Sequence, residues 1–177
     1  MKSSFSARRL CFSAALIALA FVTSLIKLID MPMGGSVTLC SMLFICIIGY
    51  FYGPKIGLAG SVAYGILQFI TNPYFVTIPQ VLCDYLFAFG VLGISGFFWK
   101  KKYGLLKGYI FGAFGRFVFS FLSGWIFFGT YAPETMGAPL YSFLYNGAYL
   151  GAEIAITIVI ILLPPVRKAI DRIKLQA

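Results

Sequence analysis

Six long apolar stretches run through the chain, at residues 10–29, 37–52, 56–71, 78–99, 108–130 and 140–163, with short polar or Pro/Gly-containing breaks between them. A helix rises about 1.5 Å per residue, so stretches near 20 residues match the roughly 30 Å hydrocarbon core of a bilayer. The uncharged run from Ile56 to Cys83 is too long for one span, so Asn72-Pro73 and Pro79 mark a break near its end. Pro164-Pro165 is expected to stop the last helix. The pattern predicts an all-α integral membrane protein, with residues 1–177 forming one six-helix membrane domain.

Composition supports this reading. Of 177 residues, 60% are hydrophobic, 18% aromatic and 11% charged, whereas a soluble domain carries about a quarter charged residues. The net charge of +9 does not point to nucleic acid, because the basic residues form short clusters between apolar runs. Lys2, Arg8, Arg9, Lys55, Lys100, Lys101, Lys102, Lys107, Arg167, Lys168, Arg172 and Lys174 fall on one side of the predicted topology, and Lys27 alone on the other. The positive-inside rule then places both termini in the cytoplasm of a multi-pass cell-membrane protein in contact with lipid. The connections 30–36, 72–77 and 131–139 face outward. A secretory signal ending near Ala18-Leu19-Ala20 is weighed and set aside, because the apolar run continues past it and its removal would leave five spans.

Several chemistries are excluded. There is no histidine, which removes His-dependent triads, H-E-x-x-H zinc sites and His-ligated haem. Cys11, Cys40, Cys46 and Cys83 lie within apolar runs without a C-x-x-C pair and read as small buried residues, with no metal or other cofactor implied. No G-x-x-x-x-G-K-[ST] phosphate loop is present, so the chain does not hydrolyse ATP by itself.

Small residues recur at helical spacing. Gly57/Ser61/Gly65, Gly108/Gly112 and Gly147/Gly151/Ala155 read as packing between helices of the bundle, while Ala14/Ala18 fits either packing or a lane for a partner protein. Three ionisable groups lie within spans, and each calls for a partner, a cavity or a ligand. Arg116 and Glu153 fall some 12 to 15 Å above the inner boundary on consecutive antiparallel helices, so a structural ion pair is expected. Asp84 lies about 8 Å below the outer surface, with no basic residue expected at matching depth. Tyr85, Phe128, Tyr141, Tyr145 and Asn146 fall at a similar level, and Gln80 one turn away on the same face. An unpaired carboxylate among rings and amides suits an organic cation, which needs a counter-charge, π faces and groups that read heteroatoms. An intramembrane enzyme or scaffold acting on lipid is the alternative from another class. An enzyme would need a second catalytic group beside Asp84, and none is evident, so no catalytic residue is assigned.

Five segments carry a family resemblance: Pro32-Met33-Gly34-Gly35-Ser36-Val37-Thr38-Leu39, Pro79-Gln80-Val81-Leu82-Cys83-Asp84-Tyr85-Leu86-Phe87-Ala88-Phe89, Ser123-Gly124, Tyr131-Ala132-Pro133 and Tyr141-Ser142-Phe143-Leu144-Tyr145-Asn146-Gly147. In order and spacing the chain resembles the thiamine-specific substrate-binding (S) components of energy-coupling factor (ECF) transporters. The resemblance implies a six-helix protein that captures vitamin from outside and docks onto a transmembrane coupling subunit driven by two ATPases. It implies ligand contacts from Asp84, Tyr85, Tyr141 and Asn146, and a docking stripe at Ala14 and Ala18. Ser120 stands where the family commonly has His, and Phe128 where a stacking Trp is usual. Ser still hydrogen-bonds and Phe still stacks, with a weaker quadrupole. Thiamine is the favoured ligand, ahead of a pyrimidine or thiazole precursor or another aromatic cation.

Overall fold

The computed structural model describes residues 7–176, apart from the side chains of Met33 and Gln176; Lys2, counted above among the basic residues, lies outside the described residues. Helix α1 covers Ala7–Leu25. It ends four residues before the apolar stretch does, because the chain then opens into a hairpin of β1, Lys27–Asp30, and β2, Ser36–Thr38, paired antiparallel with Ile29 opposite Val37 and Asp30 opposite Ser36. β-branched Ile29, Val37 and Thr38 suit extended backbone. A 3-10 turn at Pro32–Gly34 reverses the chain, with Gly34 at φ +89°, a left-handed conformation that glycine adopts without steric cost. The connection at 30–36, expected to face outward, is thus part of a folded hairpin, and Lys27–Asp30, at 3.1 Å, is the only ion pair among the described residues.

The second apolar stretch, expected as one span over 37–52, is divided. Val37 and Thr38 belong to β2, and helix α2 runs only over Ser41–Tyr52. Twelve residues rise about 18 Å, well short of the bilayer core. Nine of the twelve are buried, so α2 is apolar on all sides because protein surrounds it. Helix α3 is Pro54–Thr71. After the expected break at Asn72-Pro73, α4 runs over Ile78–Phe98, α5 over Gly104–Phe127 and α6 over Ala138–Leu162. Helices α1, α4, α5 and α6 are long and apolar enough to cross a membrane. Helix α6 ends at Leu162, just before Pro164-Pro165 as expected, and Pro164 then opens a further helix, α7, Pro164–Gln176, since proline is tolerated in a first turn.

Helices α2, α3 and α4 meet backbone to backbone. A Cβ at Gly57 would lie 2.8 Å from the Gly49 Cα and 2.9 Å from the Gly93 carbonyl oxygen, so only glycine fits that crossing. Gly65, Gly108 and Gly112 also face neighbouring helices, as their spacing predicts. The third stripe departs from expectation in part: Gly147 lies against Phe117 of α5, but Gly151 has open space around it and Ala155 is exposed, so those two face out of the bundle. Cys40 and Cys46 are buried, whereas Cys11 is exposed and Cys83 half-buried; all four are free thiols.

Helix α7 folds back under the bundle. The Tyr50 hydroxyl donates to Asp171 at 3.1 Å, and Lys174 Nζ donates to the Trp99 carbonyl at 2.6 Å while lying 3.4 Å from the Tyr50 ring centroid. Partial burial there lowers the Lys174 pKa below the ordinary lysine value.

Candidate functional site

A cavity of about 250 Å³ opens where the hairpin, the 72–74 connection and the upper halves of α3 to α6 converge. Asp84, Tyr85, Phe128, Tyr141, Asn146 and Ser120, all singled out from the sequence, line it. Local backbone geometry explains how consecutive Asp84 and Tyr85 both reach it. Residues Leu82–Phe87 form a π-helical turn, closed by the Ala88 N–H donating to the Cys83 carbonyl. More residues per turn means a smaller angle between successive side chains, and such turns are frequent at functional sites.

Gln80 is not a lining residue. It is fully buried, and its amide is occupied by protein: Nε2 donates to Asp84 Oδ2 at 2.6 Å and to the Tyr74 carbonyl at 3.2 Å, while Oε1 accepts from the Val76 N–H at 3.1 Å. It therefore orients Asp84 and the 74–76 segment rather than the contents of the cavity. The Tyr85 hydroxyl acts similarly, donating to the Asn72 carbonyl and accepting from the Tyr74 N–H, both at 2.9 Å. Its ring, packed on Phe69 at a centroid distance of 5.1 Å, remains a wall of the cavity.

The expected Arg116–Glu153 ion pair is not formed. Helix α5 begins at Gly104, four residues before the apolar stretch was drawn, which raises Arg116 to about 18 Å along it. Arg116 lines the cavity, with Cζ 4.1 Å from the Phe89 ring centroid and within electrostatic reach of Asp84. Asp84 thus shares its cavity with Arg116 and Lys27, where no basic residue at matching depth was expected. Glu153 lies at a level of its own, accepting hydrogen bonds from the Thr38 N–H at 3.1 Å, the Thr38 hydroxyl at 2.9 Å and the Ser41 hydroxyl at 3.4 Å.

Helix α6 supplies a ladder of rings at i, i+4 and i+8: Tyr141, Tyr145 and Tyr149, with successive centroids 6.0 and 5.7 Å apart. Tyr145 accepts from the Gly35 N–H at 2.9 Å and donates to the Pro32 carbonyl, which fastens the hairpin turn to α6. Asn146 is buried and accepts from the Tyr149 hydroxyl at 3.0 Å. Across the cavity the Phe128 ring lies against Tyr74, tilted by 41° with centroids 5.6 Å apart. Tyr149 was findable from the fourfold spacing below Tyr145. Tyr64, Gln68, Thr38 and Ser41 also line the cavity, and no local pattern in the sequence marks them.

A helical bundle with a water-accessible, aromatic-walled cavity holding one carboxylate defines a multi-pass membrane protein built to bind a small solute. Residues 10–172 match the family described as thiamine transporter protein, and the chain belongs to that family. It is 30% identical over 165 residues to the thiamine transporter ThiT of Bacillus subtilis (strain 168), covering 85% of this chain and 84% of the relative. A solved structure of ThiT from Listeria monocytogenes superposes with a TM-score of 0.74 at 25% identity, covering 88% of this chain and 91% of that one. The family and its curated relative are transporters, not enzymes.

Proposed function

We infer that this protein is the substrate-capture subunit of an ECF-type vitamin importer, which binds thiamine from the outer side and hands it to a transmembrane coupling subunit powered by two ATPases. The observation that carries the reading is Asp84, held by Gln80 at the wall of an aromatic cavity. Thiamine has a fixed positive charge, two flat rings and several hydrogen-bonding heteroatoms. Asp84 serves as its counter-ion, Tyr85, Tyr141 and Phe128 as π faces, and Asn146 and Ser120 as hydrogen-bonding groups. Arg116 gives the cavity a second pole, which orients an asymmetric ligand with its cation toward Asp84 and an acceptor atom toward the guanidinium.

Titrating the purified protein with thiamine, by calorimetry or intrinsic fluorescence, tests this directly. Saturable binding with a rise in melting temperature and no product formed is the expected result; no binding rejects the reading. Phe128→Trp should tighten binding several-fold, because indole attracts a cation more strongly than a phenyl ring. Unchanged affinity in that variant would take Phe128 out of contact with the ligand.

The same reading has six crossing segments and both termini in the cytoplasm. Helix α2 and the hairpin together make the second crossing, with the hairpin filling the outer depth that twelve helical residues leave. Single cysteines at Lys102 and Thr135, in a background without the native four, check the orientation. An impermeant thiol reagent on intact cells is expected to label the Thr135 site and spare the Lys102 site, and the opposite pattern inverts the topology.

A further inference from the structure

Glu153 is 2% exposed, sits in the membrane-embedded bundle, and has no ion-pair partner among the described residues. An isolated carboxylate in such a place is costly unless hydrogen bonds and dipoles compensate. Among the described residues its hydrogen-bond donors all come from one short stretch of chain, the junction between hairpin and α2. Thr38 gives its N–H and its hydroxyl, and Ser41, the first residue of α2, gives a second hydroxyl. The Thr38 and Ser41 hydroxyls also lie 2.7 Å apart, so with two hydroxyl protons for three contacts Ser41 divides its proton between Thr38 and the longer contact to Glu153. Residue Cys40 at the N-cap is left-handed, at φ +57°, and its side chain caps nothing. The Glu153 carboxylate stands in as an anion at the N-terminal end of α2, where the helix dipole favours it.

The hairpin is thus held to α6 at two places: its turn by Tyr145, its base by Glu153. Gly34, Gly35, Ser36 and Thr38 form the wall of the cavity on that side, while Glu153 itself is not a lining residue. We propose that Glu153 is a positioning residue for ligand capture, whose buried carboxylate anchors Thr38 and so sets the hairpin wall of the binding cavity and the rate at which ligand leaves. This rests on the proposed function for the ligand, but the anchor itself does not depend on which solute is bound.

Three variants and two measurements test it, using the full chain in detergent or nanodiscs. Glu153→Ala leaves the Thr38 N–H without its partner, and thiamine should dissociate about tenfold faster or more. Hydrogen exchange at residues 36–38 should rise in the ligand-free protein while exchange along α5 stays at the parent level. Glu153→Gln should restore most of both, because its amide oxygen still accepts from Thr38 and its NH2 donates to the Ser41 hydroxyl. Thr38→Val removes one of the three bonds from the opposite side and should speed dissociation by about threefold; it carries the test should Glu153→Ala fail to fold. Parent-level dissociation and parent-level exchange at 36–38 in Glu153→Ala, or in Thr38→Val where it stands in, would overturn the proposal. Exchange rising equally along α2, α5 and α6 would overturn it too, as general loosening. A parent protein that does not bind thiamine would refute the functional reading, and the exchange data would still judge the anchor.

Discussion

Asp84→Asn is expected to weaken thiamine binding about a hundredfold, a few kcal/mol, while leaving the fold intact. The substitution keeps the shape of the side chain and can keep its bond to Gln80, since the Asn oxygen accepts from Nε2 as the carboxylate does at 2.6 Å. What it removes is the negative charge. In the parent, Arg116 in the same cavity offsets part of that charge, so the carboxylate is not left bare when the ligand is absent. In the variant no lining carboxylate remains beside Arg116 and Lys27, of which Lys27 is paired with Asp30, so a cationic ligand meets Arg116 uncompensated. A loss larger than the simple removal of one neutral hydrogen bond therefore follows, because attraction is replaced by repulsion in a water-poor site. A neutral analogue of the same shape should lose much less. Calorimetric titration of both variants with both ligands separates charge from shape. If Asp84→Asn binds thiamine as tightly as the parent, the carboxylate is not the counter-ion.

The parts of the molecule that could be read from sequence are those governed by local rules. Long apolar runs, the Asn72-Pro73 break and the glycine stripes of α3 and α5 all report constraints that act within one element or between adjacent ones. Asp84, Tyr85, Phe128, Tyr141 and Asn146 line one cavity for the same reason, since their depth follows from counting residues along a helix, while Ser120, which lines it too, was marked by the family resemblance alone. The failures share a cause as well. A hydrophobicity count cannot separate the end of β2 from α2, because Val37 and Thr38 are buried and the uncharged run continues from them into α2; the division depends on a left-handed Cys40 and on Glu153 reaching across from a helix over a hundred residues away. Arg116 was misplaced by the position of a helix start, and four residues of error are about 6 Å of depth. That shift alone is enough to move a cation from Glu153 to the cavity of Asp84. Gln80 shows the remaining limit. Its spacing from Asp84 was legible, but whether an amide faces a ligand or the protein depends on the 74–76 segment folding back over it.

Ala14→Trp and Ala18→Trp should abolish thiamine uptake by cells and leave binding by the purified protein within about twofold of the parent, a difference that matters because it separates capture from delivery. Both alanines are exposed on α1, and the residues that α1 buries, Ser13 and Ala20, lie on other positions of the helix. Around them Leu10, Leu19 and Val22 are also exposed, so the two alanines form a shallow lane between larger side chains. A lane of that kind brings nothing to contact with lipid, but it lets a second helix approach closely. Helix α1 reaches the cavity only through Ser24 near its end, where the hydroxyl accepts from Gln68 Nε2 at 2.9 Å. Six residues separate Ala18 from Ser24, about 9 Å along the axis, so an indole at position 18 does not touch the binding site. Uptake of labelled thiamine and its binding are measured side by side on the same variants. Parallel loss of both would make the lane part of the fold, whereas full uptake in both variants would place the coupling subunit on another face, and the outward-facing Gly151 and Ala155 of α6 would be the next to carry a bulky side chain.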